Sequence, residues 1–451
     1  MSARTPAARP SPRGALRPVR SWGRLTADEH EVIPLHDLAD VPAALGAPGP
    51  SGLPVGLERS YGDVSLNAGG RLWTMTGLDR FRAFDSAAGL LECEAGVTVD
   101  ELQADFSRRG WMIPVTPGTR HVTIGGAIAN DVHGKNHHVA GTIGAHVREL
   151  VLARTDGEVI VCSPSHRPEW FAATIGGMGL TGAILSATIE LVRTGGPWIE
   201  SEDLVFGSIE EFFELSAESA EHEYTVSWVD VTTDGGRRGI LTRGSTSQDQ
   251  SGTPRAEQRL TFPVTPPMSL VNSLSVPVFN RAYYRLGAAR ARRGPRRVHY
   301  APFFYPLDAI EGWNRMYGPR GFHQYQSVIP PADALEATKE MLGEIARSGL
   351  GSFLGVLKTF GDRPSPGLLS FPMPGVTLAL DFPERGERTA ALFARLDRIV
   401  AAAGGRLYAG KDARMPREMF EAGYPELDAF RAFRDPGIDS GLARRLVGWP
   451  A

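Results

Sequence analysis

Residues 117 to 138 read PGTRHVTIGGAIANDVHGKNHH, and this stretch decides how the fold is interpreted. Small residues run through its centre, where Gly125 and Gly126 carry no side chain that could shield the backbone N–H groups. Unshielded N–H groups in a tight loop can bind the oxygens of a pyrophosphate. Histidines and a lysine follow at once in HGKNHH. The stretch therefore predicts a phosphate-binding loop with titratable groups beside it.

Two further segments have the same character. The polar turn RSYGD at 59–63 stands between short hydrophobic runs, and GGMGLTG at 176–182 is a glycine-dense loop before a strand-like run. Glycine permits tight turns and close approaches that a Cβ atom would block. Together the three segments predict that the first half of the chain binds a cofactor.

Composition limits the class of protein. The 451 residues suggest two or three domains with ample core, and the formal net charge of −3 gives no argument for nucleic acid. The two cysteines, Cys93 and Cys162, lie in strand-like runs, so a disulfide framework and a cysteine metal site are both disfavoured. The histidines of HGKNHH lack the spacing of a zinc site, and we expect no metal.

The chain shows no sign of crossing a membrane. It has no stretch of about eighteen apolar residues, the length that a spanning helix needs. Residues 1–20 carry five arginines and four prolines, which predicts a disordered leader rather than a targeting helix or signal peptide. Order is expected to begin near Ser21. We expect a protein that is cytoplasmic or peripheral at the membrane surface.

The pattern of apolar residues predicts an α+β protein. Strands are expected at 147–153 and 183–192 and a helix at 99–109, which Gly110 would end. Beyond residue 197 longer strands alternate with helices. There the predicted strands are 322–329, 353–360 and 375–382, and the predicted helices are 331–348 and 384–404.

Residues 281–297 depart from this order, because they contain seven arginines and no acidic residue. Such a charge run has two equally good interpretations. It could be a solvated surface segment, or it could be a patch that binds an anionic head group or a membrane surface. The apolar run VNSLSVPVFN at 271–280 would let the segment lie at a lipid interface. Both interpretations stay open.

At the level of motifs the chain resembles a known superfamily. The runs GLERSYGDVSLNAGG, PGTRHVTIGGAIANDVHGKNHH and GGMGLTGAI resemble the FAD domain of the vanillyl-alcohol oxidase/PCMH superfamily. More narrowly, the runs HGKNHH, WNRMYGPRGFHQYQSVIP, FLGVLKTFG, LDFP and GGRLYAGKDAR resemble its branch that oxidises the 2′-hydroxyl of a polyprenyl-phospho-β-D-ribose. That reaction gives a 2′-keto sugar, the first half of an epimerisation that serves cell-wall arabinan. The matches keep the family's order from residue 22 to 446.

The resemblance implies a domain organisation. A PCMH-type FAD-binding domain of two subdomains would span 21–196, and an α+β substrate domain with an antiparallel sheet would span 197–403. Residues 404–451 would return to close the FAD domain. A separate keto-reductase would take up the oxidised sugar.

Several residues gain roles from the resemblance, beside what the residues themselves indicate. Gln324 and Gln326 alternate with Tyr325, so both amides share one face of a strand and suit a polyhydroxylated sugar. An ammonium at Lys358, inside an apolar run, needs a cavity or an anion. The catalytic residues implied are Lys411, beside the reduced flavin, and His133, Gln326 and Tyr61.

The resemblance also implies the residues that bind cofactor and substrate. The cofactor residues are Arg59, Ser60, Tyr61, Gly62, Asp63, Pro117, Gly118, Thr119, Thr123, Gly125, Gly126, Ala129, Asn130, His133, Asn136, His137, Gly177, Gly179, Leu180, Gly182, Ile184, Tyr408 and Lys411. The substrate residues are Trp228, Gln324, Gln326, Lys358, Phe360, Thr377 and Ala379.

Two departures from the superfamily's pattern matter. Covalent relatives attach FAD through a histidine in the loop occupied here by RSYG, and some add a cysteine in the second loop; neither is present, which implies non-covalent FAD. Ala379 and Thr377 stand where family members carry cysteine and asparagine.

Two alternatives to a lipid-linked sugar oxidase stay open at this stage. One is an oxidase or dehydrogenase of a soluble alditol, sugar or aldonolactone, and the other is a flavin-binding partner without turnover. The arginine segment favours the lipid-linked sugar oxidase over both alternatives, because an enzyme that acts on a soluble polyol needs no basic surface to bind a lipid phosphate. The sequence does not decide between oxygen and a quinone as electron acceptor.

Overall fold

A computed structural model of the chain describes residues 14–233, 238–253 and 260–449. Strands and helices alternate along these residues, and most strand pairs are antiparallel. The prediction of an α+β protein with antiparallel sheets is confirmed.

The strands of the described residues are numbered in chain order. They are β1 (Ala15–Val19), β2 (Asp28–Pro34), β3 (Gly52–Val55), β4 (Arg71–Thr74), β5 (Phe81–Asp85), β6 (Leu90–Glu94), β7 (Trp111–Met112), β8 (Val147–Ala153), β9 (Val159–Cys162), β10 (Ala183–Glu190), β11 (Val192–Arg193), β12 (Trp198–Phe206), β13 (Tyr224–Val229), β14 (Gly239–Thr246), β15 (Leu260–Thr261), β16 (Arg296–His299), β17 (Ile310–Glu311), β18 (Phe322–Ile329), β19 (Gly355–Phe360), β20 (Gly375–Pro383) and β21 (Arg406–Leu407).

The α-helices are numbered in the same way, and short 3-10 turns join many of the elements. The helices are α1 (Val41–Leu45), α2 (Val99–Phe106), α3 (Ile124–Ala129), α4 (His137–Ala140), α5 (Pro168–Thr174), α6 (Ile209–Glu218), α7 (Ser275–Ala291), α8 (Tyr300–Phe304), α9 (Ala334–Ser348), α10 (Glu387–Ala402), α11 (Arg417–Gly423) and α12 (Leu427–Arg431).

Two sheets build the first half of the chain. One has four strands in the order β1-β2-β4-β3, and the other has five in the order β5-β6-β10-β8-β9. Strand β10 is buried between β6 and β8, which explains its run of apolar and β-branched residues. Helix α2 begins at Thr98, whose side chain and Glu101 form a capping box, and Gly110 ends the following turn with a φ of +79°.

An eight-stranded sheet dominates the second half, in the order β16-β12-β14-β13-β19-β20-β18-β21. On one face of its centre the buried side chains Tyr325, Leu378 and Leu380 belong to the same hydrophobic core as helices α9 and α10. Because side chains alternate along a strand, the neighbouring residues project from the opposite face. That second face carries the candidate site.

The C-terminal segment connects both halves. Strand β21 joins the edge of the large sheet beside β18, and residues further on return to the first half. The N–H of Gly52 donates to the carbonyl of Gly437 (2.9 Å), and the Asp435 carboxylate accepts the N–H of Thr155 (2.8 Å). Arg445 binds Asp63 and Asp412 (2.8 and 2.9 Å). Asp412 also accepts the N–H groups at positions 414 and 415, so this ion pair fixes the loop before them.

Two details differ from the sequence predictions. The expectation that order begins near Ser21 is wrong for residues 15–19, which form β1 and pair antiparallel with β2; residues 1–13 lie outside the described part of the chain. The segment 281–297 is helical up to residue 291 and extended from 296. Its arginines therefore lie on a helix, in the turn that follows it and on a strand, and several meet acidic partners described below.

We expect Arg445→Ala to lower the free energy of unfolding by about 2–3 kcal/mol, because it removes the cation that binds both Asp63 and Asp412. A fully buried pair would cost more, but the Arg445 side chain is 24% exposed. Arg148→Ala is the control, since that exposed arginine pairs with Glu190 and should change stability by less than about 1 kcal/mol. Urea unfolding of both variants measures the difference. Equal stability of the two would contradict the importance of the C-terminal tie.

Candidate active site

The predicted substrate residues lie on one face of the large sheet. Antiparallel pairing sets Gln326 opposite Ala379 and Lys358 opposite Thr377. Directly paired residues share a face, and so do residues two apart on one strand. The register therefore brings one row of side chains together: Trp228 on β13, Lys358 and Phe360 on β19, Thr377 and Ala379 on β20, and Gln324 and Gln326 on β18.

His133 faces this row from the first half of the chain. Its Nε2 accepts a hydrogen bond from the Gln326 amide (2.9 Å), which also donates to Thr377 Oγ1 (3.1 Å). The imidazole is 8% exposed and lies 4.9 Å from the ring of Phe360. With Nε2 accepting, the neutral ring carries its proton on Nδ1, which has no partner among the described residues.

The loop after β21 brings Lys411 and Tyr408 to the same place. The Tyr408 hydroxyl donates to the Asn130 carbonyl (2.8 Å), and its ring lies 5.4 Å from that of His133. The Lys411 ammonium lies 5.6 Å from the centre of the Tyr61 ring. The four residues predicted to be catalytic thus gather beside the row, although 350 positions separate the first from the last.

Asp381 belongs to the row and was missed by the sequence interpretation. It is fully buried on β20, opposite Gln324, whose amide donates to its Oδ1 (2.6 Å). Burial raises the pKa of the Asp381 carboxyl to about 7, although Gln324 and the charge of Lys411 act in the opposite direction. The lone acid in the apolar run VTLALDFP could have been recognised by the argument that selected Lys358.

Burial also shifts the basic groups. It lowers the pKa of Lys358 to about 7, with further lowering by the charges of Lys411 and Lys135, and it lowers the pKa of Lys411 to about 8. Burial lowers the pKa of His133 well below its usual value, and the charges of Lys358 and Lys411 lower it further. Lys358 is therefore close to the midpoint between its charged and neutral forms at neutral pH, and the His133 imidazole favours its neutral form.

The central glycine loop does not work as the sequence suggested. The N–H groups of Gly125 and Ala127 donate to backbone carbonyls, and the N–H of Gly126 donates to the Thr123 hydroxyl (3.2 Å). The expectation that these three groups are free to bind phosphate is wrong. A Cβ atom at Gly125 would lie 2.9 Å from the Cβ of Ala95, so this glycine is required for close packing.

The second glycine loop packs directly on the first. The N–H of Gly176 donates to Ile128, and that of Met178 donates to Ala129 (3.0 and 2.7 Å). Leu180, Ile184 and Ala129 are buried. The structure thus brings the segments around 123–130 and 176–184 together.

Some predicted cofactor residues are engaged elsewhere. Asp63 is bound by Arg445, and the guanidinium of Arg59 lies 4.3 Å above the ring of Trp22. The Asn136 amide donates to the Pro114 carbonyl (2.7 Å), and His137 packs 4.3 Å from Phe360. These side chains shape the loops. The remaining residues also have local contacts. The backbone carbonyl of Ser60 accepts the N–H of Trp22, and the Thr119 hydroxyl accepts the N–H of residue 121. Gly62 closely approaches Asp412, and Pro117 and Gly182 lie in loops.

The region offers open backbone at two glycines and buried polar atoms that a polar ligand could bind. A Cβ atom built at Gly118 would meet nothing within 4 Å, and at Gly179 the nearest contact is Pro54 at 3.9 Å. Asn130 Oδ1 and His133 Nδ1 are buried without a hydrogen-bond partner among the described residues. Buried polar atoms normally find partners. These residues therefore fit a cofactor such as FAD, which carries both donors and acceptors.

We expect His133 to remain neutral from pH 5.5 to 8, because burial and two neighbouring cations disfavour the imidazolium form. Histidine-labelled protein should show ¹⁵N shifts of an Nδ1–H tautomer throughout this range. Lys411→Met should move the pKa of His133 upward, since one repelling charge is lost. A protonation midpoint inside the range in the unmodified protein would contradict this electrostatic description.

Comparisons with known proteins agree with this geometry. Residues 36–163 match the FAD binding domain family model. Decaprenylphosphoryl-beta-D-ribose oxidase of Mycolicibacterium smegmatis is 37% identical over 449 aligned positions, covering 94% of this chain and 96% of that protein. An uncharacterized protein from the mprA 5′ region of Streptomyces coelicolor is 33% identical over 359 positions, covering 75% and 96%.

A more distant relative matches only part of the chain. A putative D-arabinono-1,4-lactone oxidase of Neurospora crassa is 30% identical over 122 positions, which cover 26% of this chain and 22% of that protein. The match to the Mycolicibacterium smegmatis oxidase covers nearly the whole chain and therefore includes the large sheet. The chain therefore belongs to the decaprenylphosphoryl-β-D-ribose oxidase family, and it is an FAD-dependent oxidoreductase.

Proposed function

We propose that this protein uses FAD to oxidise the 2′-hydroxyl of a polyprenyl-phospho-β-D-ribose to the 2′-keto sugar. One observation carries the proposal: the polar row of the substrate sheet meets His133 and Lys411 in a chain that is similar over 94% of its length to an oxidase of a lipid-linked ribose. A soluble polyol oxidase is less well supported, because the match to the lactone oxidase covers 26% of the chain.

FAD, when bound, accepts the hydride that leaves the sugar carbon. The residues that would hold it are the turn at 59–63, the segments 117–137 and 176–184, and Tyr408 with Lys411. We infer that residues 404–451 complete an FAD domain that begins at 21–196, with 197–403 as the substrate domain. The ties from Asp435 and Arg445 to Thr155 and Asp63 support this division.

We infer that the cofactor is held without a covalent bond. The turn at 59–63 offers Tyr61 and no histidine, and both cysteines are buried on strands. Buried thiols with a pKa raised to about 12 are poor nucleophiles.

Gln326 orients the sugar in this proposal. Its Nε2 is fixed by His133 and Thr377, which leaves the buried Oε1 without a partner among the described residues and able to accept from a sugar hydroxyl. Thr377 thus supports Gln326 in a position where family members carry asparagine. Ala379, opposite Gln326, leaves the space beside that amide open.

Charge at the site supports the chemistry. Lys411 supplies a cation against the negative charge that develops on the cofactor, which is worth most in a buried, water-poor site. Lys358, whose pKa is about 7, donates to the Gly134 carbonyl (3.1 Å) and exchanges its proton readily near neutral pH. We propose that the neutral amine of Lys358 accepts the proton of the reacting hydroxyl. His133, with Nε2 engaged, orients Gln326 and presents its Nδ1–H.

A separate keto-reductase is part of this proposal. Returning the 2′-keto group to an alcohol of opposite configuration needs a hydride donor on the other face of the sugar. The polar row and its facing residues form a single site among the described residues, and the family match provides one FAD domain. The second half of an epimerisation therefore falls to a partner enzyme.

Part of the arginine segment is engaged within the protein. Arg290 and Arg296 both bind Asp203 (2.9 and 3.0 Å), and Arg297 pairs with Asp249. The docking interpretation of the segment therefore does not extend to these three arginines. Exposed arginines with no acidic partner among the described residues remain on and after α7: Arg281, Arg285, Arg292 and Arg293.

The exposed face of α7 is apolar as well as basic. Leu274, Val278 and Leu286 are 81%, 72% and 62% exposed, although Val276 on the opposite face is buried. Tyr283 of the same helix lies 4.9 Å from Trp228, at the end of the substrate row. An apolar strip flanked by cations suits an anionic bilayer surface. We propose that α7 contacts the membrane and brings the lipid-linked sugar near the site. None of the helices in the described ranges is both long and apolar enough to cross a bilayer.

The proposed reaction predicts that purified, yellow protein converts polyprenyl-phospho-β-D-ribose to the 2′-keto sugar, detected by mass spectrometry. Acid precipitation should release all of the FAD. Gln326→Ala should lower kcat/KM at least about tenfold, because one hydrogen bond to the sugar and the support of His133 are lost. Efficient oxidation of free alditols or lactones, with no turnover of the lipid-linked ribose, would refute the proposal.

The membrane contact predicts that replacing Arg281, Arg285 and Arg293 by serine weakens binding to anionic liposomes about a hundredfold at low salt. Each cation near such a surface contributes about 1 kcal/mol, and salt screens the effect. The control replaces three exposed arginines elsewhere, Arg108, Arg388 and Arg398. Sedimentation with phosphatidylglycerol vesicles measures both. Similar binding of the two triple variants would show that α7 is not the contact.

A further inference from the structure

Three buried polar atoms next to Gln326 have no hydrogen-bond partner among the described residues: Asp381 Oδ2, Gln324 Oε1 and Tyr317 Oη. Their residues are 0%, 6% and 1% exposed. A buried acceptor or donor without a partner is costly, so such atoms usually bind water or a ligand. Three of them in one place require an explanation.

The fold places these atoms around one spot at the start of β18. Tyr317 ends a 3-10 turn, Trp313–Tyr317, and its ring stacks on Phe322 (4.0 Å between centres, 12° between planes). Phe322, Gln324 and Gln326 alternate on β18 and share the face of the substrate row. Asp381 is the partner of Gln324 across the strands. Burial raises the pKa of the Tyr317 hydroxyl, and the nearby charge of Asp381 raises it further.

Other groups surround the spot without satisfying it. Tyr61 lies beside Gln324 and packs edge-on against Phe322 (5.4 Å). The Asp381 carboxylate accepts the Gln324 amide through Oδ1 (2.6 Å), and its Oδ2 is left without a partner among the described residues. Lys411 attracts the carboxylate, yet the two residues form no direct ion pair in the described structure. Asp381 therefore lies near Lys411 without contacting it, and its Oδ2 stays without a partner among the described residues.

We propose that Asp381, Gln324 and Tyr317 form a second sugar-binding subsite, which holds a hydroxyl that does not react. Asp381 Oδ2 accepts from this hydroxyl and the Tyr317 hydroxyl donates to it, while Gln324 Oε1 accepts from a neighbouring hydroxyl of the sugar. Two acceptors and one donor match the capacity of a polyol, whose hydroxyls do both. The subsite deepens the proposed function, because holding a second hydroxyl fixes which carbon of the sugar faces the cofactor.

The test measures sugar binding separately from turnover. An unreactive analogue, polyprenyl-phospho-2-deoxyribose, is titrated into the FAD-loaded protein, and binding is followed by the change in the flavin absorption spectrum. Tyr317→Phe, which removes one oxygen atom, should weaken binding about 5–10-fold. Asp381→Asn should weaken it more, about 10–100-fold, since a charge-assisted hydrogen bond is lost.

Tyr325→Phe provides the matched control. Tyr325 lies on the same strand and is equally buried, but its hydroxyl donates to Asp397 (3.1 Å) on the opposite face. It should leave analogue binding unchanged. If Asp381→Asn does not fold or loses FAD, Tyr317→Phe still decides the question, because its shape is almost unaltered.

Two further analogues identify the bound hydroxyl. Each lacks the 2-hydroxyl, and in addition one lacks the 3-hydroxyl and the other lacks the 5-hydroxyl. For one of them Tyr317→Phe and Asp381→Asn should cause no further loss of affinity, because the hydroxyl that they bind is absent. Two outcomes would overturn the proposal and mean that water alone fills the subsite. In one, the variants bind the analogue as tightly as the unmodified protein does. In the other, the affinity loss caused by each variant simply adds to the loss caused by the missing hydroxyl, for both analogues. Coupled losses without any oxidation of the ribose substrate would instead contradict the proposed function and leave the subsite supported.

Discussion

The register between β18 and β20 is the constraint on which the site depends. It pairs Gln324 with Asp381 and Gln326 with Ala379, and it extends through β19 to Lys358. The alternate residues of the same strands form the core against α9 and α10, so a shift by one residue would bury the amides in that core and expose leucines to the site. Stability of the core therefore selects the same register that catalysis requires.

Low solvent access gives the polar residues of this face their chemistry. Burial brings the pKa values of Lys358 and Asp381 to about 7 and that of Lys411 to about 8, close enough to neutrality that protons move between forms with little cost. It also keeps His133 neutral and makes each unmatched oxygen of Gln326 or Asp381 a strong site for a hydroxyl. The same water exclusion that makes these groups expensive to fold makes them effective toward a sugar.

Much of this arrangement could be predicted from the sequence, for physical reasons. Strand alternation placed Gln324 and Gln326 on one face, and the cost of burying an ammonium marked Lys358. Asp381 could have been predicted in the same way, because burying its carboxylate within the apolar run VTLALDFP is as costly as burying the ammonium of Lys358. The expectation of free N–H groups at Gly125 and Gly126 was wrong, since local sequence does not reveal that Ala95 approaches so closely and that Thr123 accepts an N–H. Likewise, Asp203 lies far in sequence from the arginines that it binds, and no local pattern discloses that contact.

The tie between Arg445 and the Asp63–Asp412 pair has a consequence for how the protein is made. The ribosome synthesises the glycine loops early, yet the residues that fix the Lys411 loop, and the strand β21 that completes the edge of the large sheet, leave it last. During most of translation the first half of the chain therefore lacks the contacts that close it. Products of translation that stop before strand β21 would therefore lack both the ion pairs of Arg445 and the last strand of the large sheet, which leaves them open to proteolysis.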